Sequence, residues 1–328
     1  MTRVAFPAPP APVVRTERTE RTHLRLLVNP RVSRLRDGVA EEVAARLGTA
    51  FAVSVVHTEA AGHATDLARE AAGAGVDVVA ALGGDGTVSE AASGLVGSPT
   101  ALACLPAGVT NVFARSIGMP RGPHAAARRL AEREQAGVLV VRAVDVGTVN
   151  GHHFLYTAGV GFTAAMAETA ERAPDRKARL GQLHFAASGI AEIGRRYLRN
   201  PPEMLVQAEG IDERAVTVIV QNCEALTYFG PRQMRVSEHA GLGTGAISLT
   251  LLRRTRFGDV AGVVSRLLSG RPGAVERHPQ VRSRPELASA TVRSLDGAGL
   301  PVDADGEFLG TFSEITFGVE PAALRVVC

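Results

Sequence analysis

The stretch VDVVAALGGDGTVSEAASGL, Val76 to Leu95, decides how this chain folds. Seven mostly apolar residues run into Gly83-Gly84-Asp85-Gly86-Thr87, and a helix-like segment, Val88 to Leu95, follows. A buried strand that turns through glycines into a helix is the repeating step of a parallel α/β sheet. Glycines there let a ligand approach the backbone with no Cβ in the way. Exposed N–H groups at a helix start favour phosphate, and Thr87 can add a hydroxyl. Asp85 is the odd member, because a carboxylate beside phosphates is repulsive unless a cation intervenes. The economical reading is a Mg²⁺-nucleotide, with Asp85 acting through metal, water or a ribose-side hydrogen bond. An ordinary Gly-rich turn with a capping Asp is the alternative.

Outward from this stretch the pattern repeats. LRLLVNP (Leu24–Pro30) is a short strand ending on an Asn-Pro turn signal. GVAEEVAARL (Gly38–Leu47) has the helical spacing Val39, Val43, Leu47. Ala50–Thr58 is rich in β-formers, GHATDLAREAAGAG is helical, and ALACLPAG is a fourth strand. The order β-α-β-α-β-α-β predicts a parallel sheet with helices on its faces. After about residue 137 the texture changes to strands separated by turns, and only Ala164–Arg199 and Asp259–Leu268 read as helices. The expected organisation is a disordered Pro-rich and charged tail over 1–23, a nucleotide-binding α/β domain over 24–143, and an antiparallel β-sandwich-like domain over 144–328. The final strands are free to return to the first domain.

The bulk numbers exclude several classes. The chain has 328 residues, a net charge of +3, 36 basic against 33 acidic residues, and no Trp. Such a mixed surface with few aromatics predicts no nucleic-acid partner. No apolar run reaches the ~18 residues of a membrane span, and no signal pattern opens the sequence, so a cytoplasmic protein is expected. Cys104, Cys223 and Cys328 lack disulfide or metal spacing. The one lysine, Lys177, lies far from any Gly-rich turn, which excludes a Walker P-loop; a dinucleotide fingerprint is also absent.

A second strand end, CLPAGVTNVFARSIGMP (Cys104–Pro120), brings Gly108, Thr110 and Asn111. Parallel pairing carries it, the Gly83 turn and the Asn29-Pro30 turn to the same sheet edge, where ligands of α/β sheets bind.

Together NPRVS, HTEAAGHATDLA, ALGGDGTVSEAASGL, LPAGVTNVFAR, VDVG and DADGEFLG, in this order, make the chain resemble the diacylglycerol kinase catalytic-domain family, which includes bacterial soluble lipid kinases and sphingosine kinases. The resemblance covers nearly everything after Leu24. It implies ATP in the first domain, lipid in the second, and phosphoryl transfer from ATP with Mg²⁺ to a lipid hydroxyl, diacylglycerol first among acceptors. NAD kinase and a non-catalytic lipid- or nucleotide-binding homologue are the competing functions. Implied for the nucleotide are Asn29, Pro30, Thr58, Gly83, Gly84, Asp85, Gly86, Thr87, Val88, Ser89, Glu90, Gly108, Thr110 and Asn111. Asp85 and Asp145 are implied for Mg²⁺. Glu307 is the implied general base with Asp305 next, although Asp-Gly in DADGE is also a hairpin-turn signal.

The chain departs from the family pattern in places. Val112 stands where many members have Asp, which removes one acid from the cluster that would include Asp85 and Asp145, and Ser89 stands where many have Asn; Gly243-Thr244-Gly245 stands where many carry Asp-Asp-Gly, so a second, structural Mg²⁺ site is expected to be lost or weak. Transient docking at a membrane bearing the lipid is expected, making the protein peripheral during turnover; a homodimer is a further expectation. Gln182–Asn200, with Arg195, Arg196 and Arg199, and the cluster Arg253, Arg254 and Arg256 are the basic segments suited to anionic headgroups.

Overall fold

The computed structural model describes residues 21–32, 35–172 and 199–328. Residues 1–20 of the expected tail and 182–198 of the basic segment lie outside them. The chain divides into two units, Met1–Val146 with Pro321–Cys328, and Gly147–Glu320.

The first unit contains β1 (His23–Val28), α1 (Val39–Gly48), β2 (Ala52–His57), α2 (His63–Gly73), β3 (Val78–Gly83), α3 (Asp85–Leu95), β4 (Ala101–Pro106), α4 (Val112–Ser116) and α5 (Pro123–Gln135). The strands lie in the order β2-β1-β3-β4, and every pair is parallel. All six residues of β3 and all six of β4 are buried, as expected of central strands covered on both faces. β2, at the edge, buries none. The register sets Val28 opposite Leu82 and Gly83 opposite Pro106, so the carboxyl ends of β1, β3 and β4 are level. Between β1 and β3 the strand order reverses, which makes their ends a topological switch point.

Helix α2 packs on α3 so closely that a Cβ on Gly94 would come 2.3 Å from the Thr65 carbonyl oxygen. The end of β18 (Glu314–Val327) runs parallel to β4, with Val326 opposite Leu102.

Two features of this unit differ from the sequence pattern. Helix α3 begins at Asp85, not Val88, so the expected Gly83–Thr87 turn is one connecting residue, Gly84, followed by a helical turn. Gly84 is extended, with φ −90° and ψ −171°, and delivers the chain straight from strand to helix. Helix α5 was not marked by apolar spacing because alanines, Ala126, Ala127 and Ala131, with Leu130, form its buried face. Small side chains give a weak periodic signal even when the face is fully covered.

The second unit is built from strands, numbered on from the shared strand β5 (Val141–Val149): β6 (His152–Phe154), β7 (Thr157–Val160), β8 (Met204–Ala208), β9 (Ile211–Ala215), β10 (Thr217–Gln221), β11 (Thr227–Phe229), β12 (Arg232–Met234), β13 (Ile247–Leu252), β14 (Val281–Leu287), β15 (Ser289–Ser294), β16 (Leu300–Ala304) and β17 (Glu307–Phe312). Its described helices are α6 (Phe162–Arg172) and α7 (Phe257–Ser269). One antiparallel sheet runs β14-β13-β10-β7-β16-β17. Facing it, β9, β8, β15 and the start of β18 pair antiparallel. Val218, Val220, Leu249 and Val302 of the first sheet meet Val206, Val292, Ile315 and Phe317 of the second in one buried cluster. This is a β-sandwich.

The protein therefore has the expected class: a parallel α/β unit and an antiparallel β-sandwich. No helix among the described residues is long and apolar enough to cross a membrane. All three cysteines are free, with Cys104 and Cys223 buried.

Candidate active site

The switch point of the first unit is assembled by polar side chains that tie the strand ends together. At the end of β1, the Asn29 amide donates to Thr87 Oγ1 at 2.8 Å, and its carbonyl oxygen accepts the Arg31 N–H at 2.9 Å. Thr87 sits in the first turn of α3, against Gly83. A Cβ on Gly83 would lie 2.5 Å from the Thr87 side chain, so glycine is what admits this threonine. Asp85 Oδ2 accepts the Thr110 hydroxyl at 2.8 Å, and the carboxylate also accepts N–H groups of Asn111, Val112 and Phe113. Asp85 thus caps the start of α4 and clamps the β3 end to the β4 end. Burial pushes its carboxyl above the ordinary value, and the Thr110 and backbone hydrogen bonds pull it back.

The β4 end closes on itself. Asn111, in the left-handed region at φ 47°, accepts the Gly108 N–H at 3.0 Å and returns a bond to the Gly108 carbonyl at 2.8 Å. A Cβ on Gly108 would lie 2.8 Å from the Gly84 Cα, so the two glycine turns touch backbone to backbone.

These contacts place most of the nucleotide residues expected from the sequence around one switch point: Asn29, Gly83, Gly84, Asp85, Thr87, Gly108, Thr110 and Asn111. Gly86 belongs to the same first turn of α3. Pro30 is exposed beside Asn29. Thr58, just past β2, is buried and donates its N–H to the Val28 carbonyl at 2.9 Å. Three residues are turned to other work. The Val88 side chain is buried. Glu90 accepts the Ala64 N–H at 3.1 Å and so satisfies the start of α2. Ser89 lends its carbonyl to the Ser93 hydroxyl.

The metal expectation fits less well. Asp145 on β5 is buried, and its Oδ1 accepts the Ala322 N–H at 2.9 Å. Val112 buries an apolar side chain at the start of α4. Among the described residues no group of three His, Cys, Asp or Glu side chains could hold a metal ion. Where the second, structural site of the family is expected to be lost or weak, the Thr244 hydroxyl bonds the Gly241 and Ala246 carbonyls of its own turn.

In the second unit, Asp305 and Gly306 are the two loop residues between β16 and β17, with φ 50° and 82° and Ala304 paired with Glu307. Positive φ at both positions is the signature of a type I′ hairpin. The hairpin reading of DADGE is thus realised at Asp305-Gly306, with Glu307 as the first residue after the turn. Asp305 is buried; its Oδ2 accepts the Leu155 N–H at 2.7 Å, and its Oδ1 accepts those of Tyr156 and Thr157 at 2.9 and 3.1 Å. The Tyr156 hydroxyl donates to the Asp305 carbonyl at 2.6 Å. Glu307 opens β17 and is exposed. Nothing in the sequence marks Leu155, Tyr156 and Thr157 as partners of Asp305, because backbone donors carry no side-chain signal.

Comparison with known proteins follows the same division. Residues 23–143 match the diacylglycerol kinase catalytic domain. Residues 157–328 match the YegS C-terminal NAD kinase beta sandwich-like domain. The chain belongs to the diacylglycerol kinase-like lipid kinase family. It is 29% identical over 254 residues to the diacylglycerol kinase of Bacillus subtilis strain 168, covering 75% of this chain and 78% of that one. It is also 29% identical over 275 residues to a YegS-like lipid kinase of Pseudomonas aeruginosa PAO1, 81% of each chain. A crystal structure described as a diacylglycerol kinase from Bacillus anthracis str. Sterne superposes with a TM-score of 0.67 at 20% identity, over 94% of this chain and 98% of that chain. At that identity the likeness is one of fold.

One acid of this lipid kinase was passed over in the sequence. Asp303 on β16 is buried, close to the Thr163 hydroxyl. Burial pushes its carboxyl up to about 7; the charge of Asp305 adds to the rise, while the adjacent Thr163 hydroxyl and the Gly306 N–H oppose it. Because the folded value lies above the unfolded one of about 3.9, the contribution to stability is complete below about pH 4 and is lost as pH rises through about 7. Urea unfolding is therefore expected to show stability falling between about pH 4 and about pH 7, and Asp303→Asn is expected to flatten that slope. An unchanged slope in the variant would show that the proton sits elsewhere.

Proposed function

We propose that this lipid kinase transfers the γ-phosphoryl group of ATP to the hydroxyl of diacylglycerol. The observation that carries the reading is the switch point: three level strand ends, locked by the Asn29–Thr87 and Asp85–Thr110 bonds, around the first turn of α3. The first N–H groups of a helix have no partner within it, and those of Asp85, Gly86 and Thr87 suit phosphate oxygens. Gly84 and Gly108 keep side chains out of the approach. Mg²⁺ bound with ATP would supply neutralisation of the phosphate charge during transfer.

Asp85 anchors the β4 end, and through it Asn111 and Gly108. In the second unit Glu307 is the exposed carboxylate of the hairpin and accepts the acceptor hydroxyl's proton as the phosphoryl group leaves ATP. Asp305, with both oxygens engaged by backbone N–H groups, holds the turn that presents Glu307 and is not itself the base. The test is ADP release in the presence of ATP, Mg²⁺ and vesicles with or without diacylglycerol, with NAD as the rival acceptor. Release stimulated by diacylglycerol and not by NAD is expected; the reverse would assign the chain to NAD phosphorylation.

A further inference from the structure

Helix α7 (Phe257–Ser269) is apolar over two adjacent faces, and the core uses one of them. Val263 and Leu267 pack on a small cluster formed by Val236, Val275 and Val281. Yet no residue of the helix is buried. Phe257 is 76% exposed, Val264 43% and Leu268 55%, and Ala261 is exposed as well. Spaced i, i+4, i+7 and i+11, these four share one face. That face carries no charge, and nothing among the described residues covers it.

Both ends of the stripe are basic. Arg256 precedes the helix, Arg271 follows it, both are exposed, and neither forms an ion pair among the described residues. Arg254 is already engaged with Asp259 at 2.9 Å, and Arg253 with Glu213 at 3.1 Å. Asp259, the acid of the helix itself, is thus engaged by Arg254, and Arg256 and Arg271 stand unpaired at the two ends of the stripe. An apolar stripe framed by unpaired cations is complementary to a surface that is anionic outside and hydrocarbon within.

We infer that α7 is the element by which the protein docks on an anionic bilayer, with Phe257, Val264 and Leu268 entering the interface and Arg256 and Arg271 meeting headgroup phosphates. This rests on the lipid-kinase reading for its purpose, but not for its measurement. Co-sedimentation of the full chain with phosphatidylcholine vesicles containing phosphatidylglycerol and no diacylglycerol reads docking without turnover. Label transfer to diacylglycerol reads the kinase separately.

Wild type is expected to sediment with the anionic vesicles and to be released by salt. Phe257→Ser with Leu268→Ser is expected to lower the partition at least tenfold. Arg256→Gln with Arg271→Gln is expected to lower it by on the order of tenfold on anionic vesicles and to remove the dependence on phosphatidylglycerol. All four side chains are exposed, so the melting temperature should hold, and the arginine pair tests the surface even if the apolar pair does not fold. Sedimentation equal to wild type in both variants would overturn the inference. So would light scattering that shows a wild-type dimer turned to monomer by the apolar pair with vesicle binding intact, which would make the stripe a contact between two copies.

Discussion

Glu307→Gln is expected to leave the chain folded and to lower kcat by about 10²–10⁴-fold, the range for loss of a general base. The side chain is exposed at the start of β17, so the amide should cost little stability. Binding of ATP is assigned to the first unit, so KM for ATP should not move. The separation matters: a fall in kcat with KM and the melting curve unchanged marks a group that acts only as the proton leaves. Activity within threefold of wild type would remove Glu307 from the chemistry.

Asp305→Ala is expected to fail for a different reason. Its carboxylate accepts three buried N–H groups, from Leu155, Tyr156 and Thr157. Removing it strands those donors, at about 1–3 kcal/mol for a buried group left unpaired, and a total loss of about 3 kcal/mol or more is expected. Alanine also tolerates the left-handed φ of 50° poorly. Asp305→Asn keeps one acceptor oxygen and a residue type that adopts this conformation, so it should recover part of the stability. Urea midpoints followed alongside activity separate the two carboxylates: Glu307→Gln loses turnover at full stability, and Asp305→Ala loses both. A stable but inactive Asp305→Ala would return Asp305 to the role of base.

The fold class was legible because the deciding segments are strong signals. β3 and β4 are unbroken apolar runs ended by glycine or proline, and such runs between helical segments have few other solutions. What escaped had weaker chemistry. Alanine faces hid α5, alternating arginines hid β14 (VRSRPEL), and the polar string IDERA hid β9.

The site divides along similar lines. Glycines and side-chain donors near a strand end announce themselves, so Asn29, Gly83, Thr87, Gly108 and Thr110 could be named from sequence. The partners of Asp85 and Asp305 are mostly backbone N–H groups, and their geometry exists only after folding. Asp85 is expected from sequence to act through metal, water or a ribose-side hydrogen bond; its bonds to Thr110 and to the first N–H groups of α4, which join two strand ends, carry no sequence signal. Glu90 likewise serves the start of α2.

The most direct test of the central claim is one reaction containing the full chain, γ-labelled ATP, Mg²⁺, a total lipid extract and NAD, followed by mass identification of every species that gains phosphate. Label in the phosphorylated form of diacylglycerol, lost in Glu307→Gln, is the predicted result. Label in NADP, or bound ATP with no labelled lipid at all, would contradict it.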